Sequence, residues 1–302
     1  MQHVPDRRRV AERQTHNVTD LSAQPETGTG SLHITLARRL VAEGIGTALL
    51  VIAVVGSGIM ASRLSTDMGL QLLENAAATA GALIGLILAF GAVSGAHFNP
   101  VVTLVDRLFG TISTVDAVLY TVAQTVGGCL GAVVANVMFE LDPVNISTHA
   151  RASGALWLSE VVATIGLLLV IHGCVRTGRA DAVPFAVGLW IGGAYWFTSS
   201  TSFANPAVTV ARMLSNSFAG IRPSSTPMFI LMQVIGGLLA YGLIRFVYPV
   251  VTPPSPPTRP PTPPPAFPPG LPPGLPPADQ TSRVAARRHE IAFFIRCGDR
   301  AG

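Results

Sequence analysis

Ser94-Gly95-Ala96-His97-Phe98-Asn99-Pro100-Val101-Val102-Thr103-Leu104 and Thr201-Ser202-Phe203-Ala204-Asn205-Pro206-Ala207-Val208-Thr209-Val210-Ala211 are two copies of one motif, each opening an apolar run. Asn can cap a helix, and Pro suits the first helical position, where its missing N–H would have no partner anyway. Each Asn-Pro step therefore reads as a helix N-terminus. Inside a membrane such an end carries a positive partial charge. The pair suggests a duplicated membrane protein and marks where its substrate passes.

The sequence around both copies fits that environment. Hydrophobic residues make up 49% of the 302-residue chain and charged residues only 12%, with a mean hydropathy of +0.49. A soluble domain carries about 25% charged residues. Six apolar runs approach the ~20 residues that a bilayer-spanning helix needs: 38–61, 73–92, 115–138, 155–175, 183–200 and 227–249. The fifth is broken up by small and hydroxyl residues. Between the second and third runs, and again between the fifth and sixth, the stretch after the Asn-Pro step is too short to span. Each can form a half-helix that dips to the membrane centre, where non-helical backbone is tolerated only if protein or a wet cavity surrounds it. The expected fold is an all-α membrane protein of six transmembrane helices and two re-entrant half-helices.

The halves repeat. Glu43 in AEGIGTALLV, then Asn99-Pro100-Val101, then Gln124 with Gly127 and Gly128 are matched by Glu160 in SEVVATIGLLLV, Asn205-Pro206-Ala207, and Gln233 with Gly236 and Gly237. Three spans per half force the second half into the opposite orientation. The result is an inverted repeat, about 35–140 and 152–250, which places a site near the midplane.

Charge orients the chain. Arg7, Arg8, Arg9, Arg13, Arg38 and Arg39 precede the first run, Arg176 and Arg179 join the fourth to the fifth, and Arg259, Arg283, Arg287 and Arg288 follow the sixth. The positive-inside rule then puts both termini in the cytoplasm, and the connection holding Glu140 and Asp142 outside. Arg63, Arg151 and Arg222 run against the bias. This distribution accounts for the net charge of +4 without nucleic acid as a partner. Cys129, Cys174 and Cys297 form no disulfide framework or metal pattern. There is no catalytic constellation and no phosphate loop, so neither an enzyme nor a cofactor is expected.

Residues 1–34 are polar, unlike a signal peptide, and read as a disordered cytoplasmic tail. Residues 253–277 hold 15 of the chain's 24 prolines, and 251–277 reads as an extended polyproline II linker. Residues 278–302 read as a disordered end or the remnant of a further domain.

With both boxes in phase with a six-span repeat, residues 35–250 resemble the aquaporin and aquaglyceroporin channels. The resemblance implies a homotetramer in the plasma (inner) membrane with one pore per subunit. Asn99 and Asn205 would present amide N–H groups to that pore, and the half-helix ends at Pro100 and Pro206 would repel cations. It also implies that Glu43 and Glu160 support the pore loops, with His97, Gln124 and Gln233 as further loop-supporting residues. Val101 replaces the usual Ala of the first box, a change of packing methyl only. His172 has no evident partner and reads as a packed histidine.

The family's selectivity filter is where this sequence departs. The Arg that usually follows the second box is Val208 here. The next one, Arg212, lies one helical turn further on and is not expected to enter the same ring. Counting from the boxes gives a filter of Thr79, Gly193, Ser202 and Val208, with no aromatic, His or charge, unless Trp190, Trp196 or Phe203 refills the space. Such a ring would be wide and mildly polar. SFANPAVTVAR followed by FAGIRPSSTP resembles the aquaglyceroporins found with arsenic-resistance systems. That resemblance implies arsenite and methylated arsenicals as cargo, alongside glycerol and water. The other readings are a general glycerol and water facilitator, or a scaffold that uses its Pro-rich tail.

Overall fold

Polar caps cut the apolar sequence into helices. In the computed structural model, which describes residues 34–248, the Thr35, Asp67, Ser113 and Ser153 side chains accept N–H groups from Arg38, Leu70, Asp116 and Leu156. These caps open α1 (Leu36–Leu64), α2 (Met68–Ser94), α4 (Thr114–Met138) and α5 (Gly154–Arg176). Each satisfies one of the donors that a helix start leaves free. The remaining helices are α3 (Pro100–Phe109), α6 (Val183–Phe197), α7 (Pro206–Ala211) and α8 (Thr226–Val247), with 3₁₀ turns at Ala180–Ala182, Arg212–Leu214 and Pro223–Ser225. The N-terminal tail to residue 33, the Pro-rich linker and the end containing Cys297 lie outside the described residues.

The six expected spans are α1, α2, α4, α5, α6 and α8. Five helical stretches, α1, α2, α4, α5 and Pro223–Val247, are long and apolar enough to cross a membrane. α6 has 15 residues, about 22 Å against a ~30 Å hydrocarbon core. It ends at Phe197 with Thr198 as its C-cap, and beyond the cap the Ser199 and Ser200 hydroxyls turn to the Ser159 hydroxyl and the Glu160 carboxylate. Large apolar side chains point outward all round the bundle, including Leu189 on α6 and Phe246 on α8 at 72% and 86% exposure. A surface this apolar suits lipid rather than water.

Packing reproduces the duplication. α1 lies on α2 and α4, and α5 on α6 and α8. α2 meets α6 across the repeat boundary, α3 packs on α4 and α8, and α7 on α8 and α4. Exchanging the halves maps these contacts onto one another, as an inverted repeat requires. Close approach needs small residues. A Cβ at Gly127 or Gly131 would collide with the backbone of Gly44 or Ala48 on α1, the small-residue seam typical of membrane helices. α3 and the α7–3₁₀ segment are each about 15 Å long, half the depth of a bilayer core, and their N-termini meet in the middle of the bundle.

Candidate functional site

The two Asn-Pro boxes bind each other. Asn99 Nδ2 donates to the Ala204 carbonyl at 2.7 Å, and Asn205 Nδ2 donates to the Phe98 carbonyl at 2.8 Å. Their Oδ1 atoms cap the half-helices, Asn99 accepting from Val101 N–H, and Asn205 from Ala207 and Val208 N–H. Each amide group has two N–H bonds, so one remains after the cross-link. Both Asn residues line a central cavity of about 610 Å³.

A buried carboxylate holds the backbone before each box. Glu43 accepts from the Ser94 hydroxyl (2.6 Å), His97 N–H (3.0 Å), Phe98 N–H (2.7 Å) and Gln124 Nε2 (2.8 Å). Glu160 accepts from the Ser200 hydroxyl (2.6 Å), Phe203 N–H (3.0 Å), Ala204 N–H (2.9 Å) and Gln233 Nε2 (2.6 Å). Both are fully buried. Four donors and no acceptor is the pattern an ionised carboxylate takes, and it offsets a desolvation cost of several kcal/mol. Gln124 and Gln233 also donate to Thr103 and Thr209, whose hydroxyls return to the Asn99 and Asn205 carbonyls. The loops this secures are strained. Ala96, Phe98, Ser202 and Ala204 have φ between 48° and 50°, left-handed values that cost a non-glycine residue roughly 1–3 kcal/mol each. Ser94 and Thr103 recur as Ser200 and Thr209 at the same offset that relates the two Asn-Pro steps, a repeat of hydroxyls that is the sequence signal for this support.

The cavity's Arg212 end corrects the expected filter. Thr79, Ser202 and Val208 line it together, but Gly193 does not. Gly193 lies on the exposed face of α6. The residues of that helix that line the cavity are Val183, Pro184, Val187, Ile191 and Tyr195, and two positions along a helix rotate a side chain by about 200°. Tyr195 Oη lies 3.1 Å from Thr79 Oγ1, so an aromatic hydroxyl occupies the place assigned to a glycine. Phe203 lines the cavity too, whereas Trp196 is half exposed and Trp190 donates to the Ala163 carbonyl.

Nor is this end uncharged. Arg212 lines the cavity and is buried, at 1% exposure. The chain tightens to a 3₁₀ turn at Arg212, and the side chain lies on the Phe203 ring, its guanidinium carbon 3.4 Å from the centroid. Its Nε donates to the Ala219 carbonyl. Arg151, from the α4–α5 connection, has its guanidinium carbon 5.1 Å from the same centroid and donates to the Gly220, Ser200 and Phe218 carbonyls. Burial lowers the Arg151 pKa from its ordinary value, and the Glu160 charge acts the other way.

The opposite end is built on His97 and Asp106. His97 Nδ1 meets the Thr103 hydroxyl at 3.0 Å and Nε2 meets Asp106 Oδ2 at 2.9 Å. His172 does have a neighbour, Asp106 Oδ1 at 3.8 Å, and stacks at 5.0 Å on Phe109. His97, Asp106, Phe109, His172 and Arg176 all line this end. No group of acidic, His and Cys side chains among the described residues could hold a metal ion.

Comparison with known proteins agrees with this architecture. Residues 31–198 match the family described as Major intrinsic protein. Aquaglyceroporin AqpS of Rhizobium meliloti (strain 1021) is 47% identical over 225 residues, which cover 73% of this chain and 96% of the relative. Aquaporin Z of Photorhabdus laumondii is 27% identical over 234 residues, covering 70% and 98%. The X-ray structure of the aquaglyceroporin from Plasmodium falciparum has a TM-score of 0.56 at 18% identity and covers 70% of this chain and 96% of that one, a likeness of fold.

Proposed function

The chain belongs to the major intrinsic protein family, and from that premise we propose that it is a passive transmembrane channel for small uncharged solutes, with trivalent arsenic species (arsenite and methylated arsenicals) and glycerol-like molecules as cargo. The observation that carries this reading is Val208, a small apolar residue lining the cavity where the family resemblance calls for an arginine. The hydroxyls of Thr79, Tyr195 and Ser202 stand beside it and suit a neutral, hydroxylated molecule. Arsenous acid and glycerol both answer that description. Neither carries the charge that makes entry into a low-dielectric region costly.

In this mechanism a solute enters the constriction at Thr79, Tyr195, Ser202 and Val208 and exchanges water for hydroxyl contacts. It then passes the free N–H groups of Asn99 and Asn205 at the half-helix ends. The positive potential of those ends opposes cations and orients hydroxyls so that no continuous proton wire forms. Glu43 and Glu160 hold the loops in place, and catalysis and cofactors play no part. The 35–250 domain would act as a homotetramer in the plasma (inner) membrane with both termini cytoplasmic.

The test uses the full chain in proteoliposomes, with arsenite, monomethylated trivalent arsenic, glycerol and water flux measured in parallel. Arsenical flux well above that of empty vesicles is the expected result. Glycerol and water flux without it would leave a general facilitator, and no flux from protein inserted in the membrane would overturn the channel reading. Val208→Arg should cut methylated-arsenical flux by about tenfold or more, a barrier of ~1.4 kcal/mol. An unchanged flux would remove Val208 from the constriction.

A further inference from the structure

Arg212 carries no role in the family resemblance, and its position four residues beyond Val208 puts it one turn away from the expected ring. Yet its side chain returns to the cavity. The face of Phe203 supports it at 3.4 Å, and Phe203 is itself fixed by its N–H bond to Glu160. The Nε anchor to Ala219 uses one of five donors. Among the described residues no protein acceptor takes the four Nη hydrogens. In the same wall the Ser202 hydroxyl is buried at 3% exposure and has no partner. A guanidinium with free donors and an unpaired hydroxyl thus face one stretch of cavity.

Arg151 adds a second positive charge behind Phe203. It is held by three carbonyls and by its own N–H bond to the Ser225 hydroxyl. The α4–α5 connection reaches it by crossing the segment after α7, where Asn145 and Ser147 N–H donate to the Leu214 and Met213 carbonyls. Glu160, whose charge acts on both arginines, already has four donors. The cavity end therefore keeps a net positive field.

We propose that Arg212, backed by Arg151, is the charge-selecting residue of this constriction: it excludes cations from one turn further along the half-helix than the position Val208 vacates. This rests on the channel reading above. It also explains how the ring can be wide for neutral cargo and still closed to ions. Because the barrier is set back from Val208, width and charge exclusion are controlled by different residues.

The experiment measures sodium and guanidinium flux together with glycerol flux in the same proteoliposomes, for the wild type, Arg212→Gln and Arg212→Lys. The wild type is expected to pass glycerol and to hold both cations at the level of empty vesicles. Arg212→Gln should raise cation flux by about 100-fold, the effect of removing a unit charge about 6 Å from the path at an effective dielectric near 20. Arg212→Lys keeps the charge and should stay tight to cations. Equal leaks from Lys and Gln would make Arg212 a packing residue, and a tight Arg212→Gln channel that still passes glycerol would overturn the proposal outright. If Arg212→Gln does not insert, Arg212→Met, which keeps the length and the contact with Phe203, carries the same comparison. A wild type that passes no glycerol fails the channel reading instead, so the two failures are distinguishable.

Discussion

The loop before Asn99 and the loop before Asn205 are tied down by the same set of bonds and end in opposite chemistry. Each rests on a buried glutamate that takes one serine hydroxyl, two backbone N–H groups and one glutamine amide. The sequence offset that carries Asn99 onto Asn205 also carries His97 onto Phe203 and Asp106 onto Arg212. At one end of the cavity the pair is an imidazole on a carboxylate, 2.9 Å apart. At the other it is a guanidinium on an aromatic face, 3.4 Å from the ring centroid. Duplication thus preserved the buried atoms that shape the backbone, and divergence is concentrated in the side chains that face each mouth.

The strongest way to break this equivalence is to remove the carboxylates. Glu43→Ala and Glu160→Ala each leave four donors buried without an acceptor, in loops already carrying left-handed residues. Removing one partner of such a network costs about 3–5 kcal/mol. Both variants should lose most folded protein, read as recovery of monodisperse protein in detergent and as a fall in thermal midpoint. The two losses should match, because the two sets of donors match. A mild Glu160→Ala beside a severe Glu43→Ala would show that the arginine cluster, and not the glutamate, fixes the second loop.

The cross-link between the boxes comes next. Asn99→Ala and Asn205→Ala each remove a cap and one bond to the other loop, about 1–2 kcal/mol apiece. Both bonds join the same two loops, so a double-mutant cycle on thermal stability should show a coupling of at least ~0.5 kcal/mol. Strict additivity would mean that each loop is set by its own glutamate alone.

The scaffold is largely legible in the sequence because it is written twice. Glu43 and Glu160, the Asn-Pro steps, and Gln124 and Gln233 recur in the same order, and the glycines after each glutamine mark the helix seams. What the sequence did not reveal depends on rotation and reach. Counting back from Asn205 selected Gly193, but the direction a helical residue faces changes by about 100° with each position, and Tyr195 is the residue turned inward. Counting forward from Ala207 set Arg212 aside as a turn too far. A long, flexible side chain can cover that distance, and it does so here because the helix tightens at Arg212 and Phe203 offers a face to rest on. His172 lacked a partner in the pattern because Asp106 reaches it from a half-helix more than sixty positions earlier in the chain.

The mildest test copies one loop's chemistry into the other. His97→Phe places in the first loop the residue that the second has at the equivalent position. The backbone N–H bond to Glu43 survives, since it needs no particular side chain. The imidazole contacts with Thr103 and Asp106 are lost, at a cost of about 1–2 kcal/mol. Of its two histidine neighbours Asp106 then keeps His172, at 3.8 Å. The variant should therefore fold and insert, with a thermal midpoint a few degrees lower, roughly what 1 kcal/mol produces in a chain of this size, and should still conduct glycerol. A loss as deep as that of Glu43→Ala would mean that the loop's geometry depends on the imidazole as well as on the carboxylate, and that the two halves are not held alike after all.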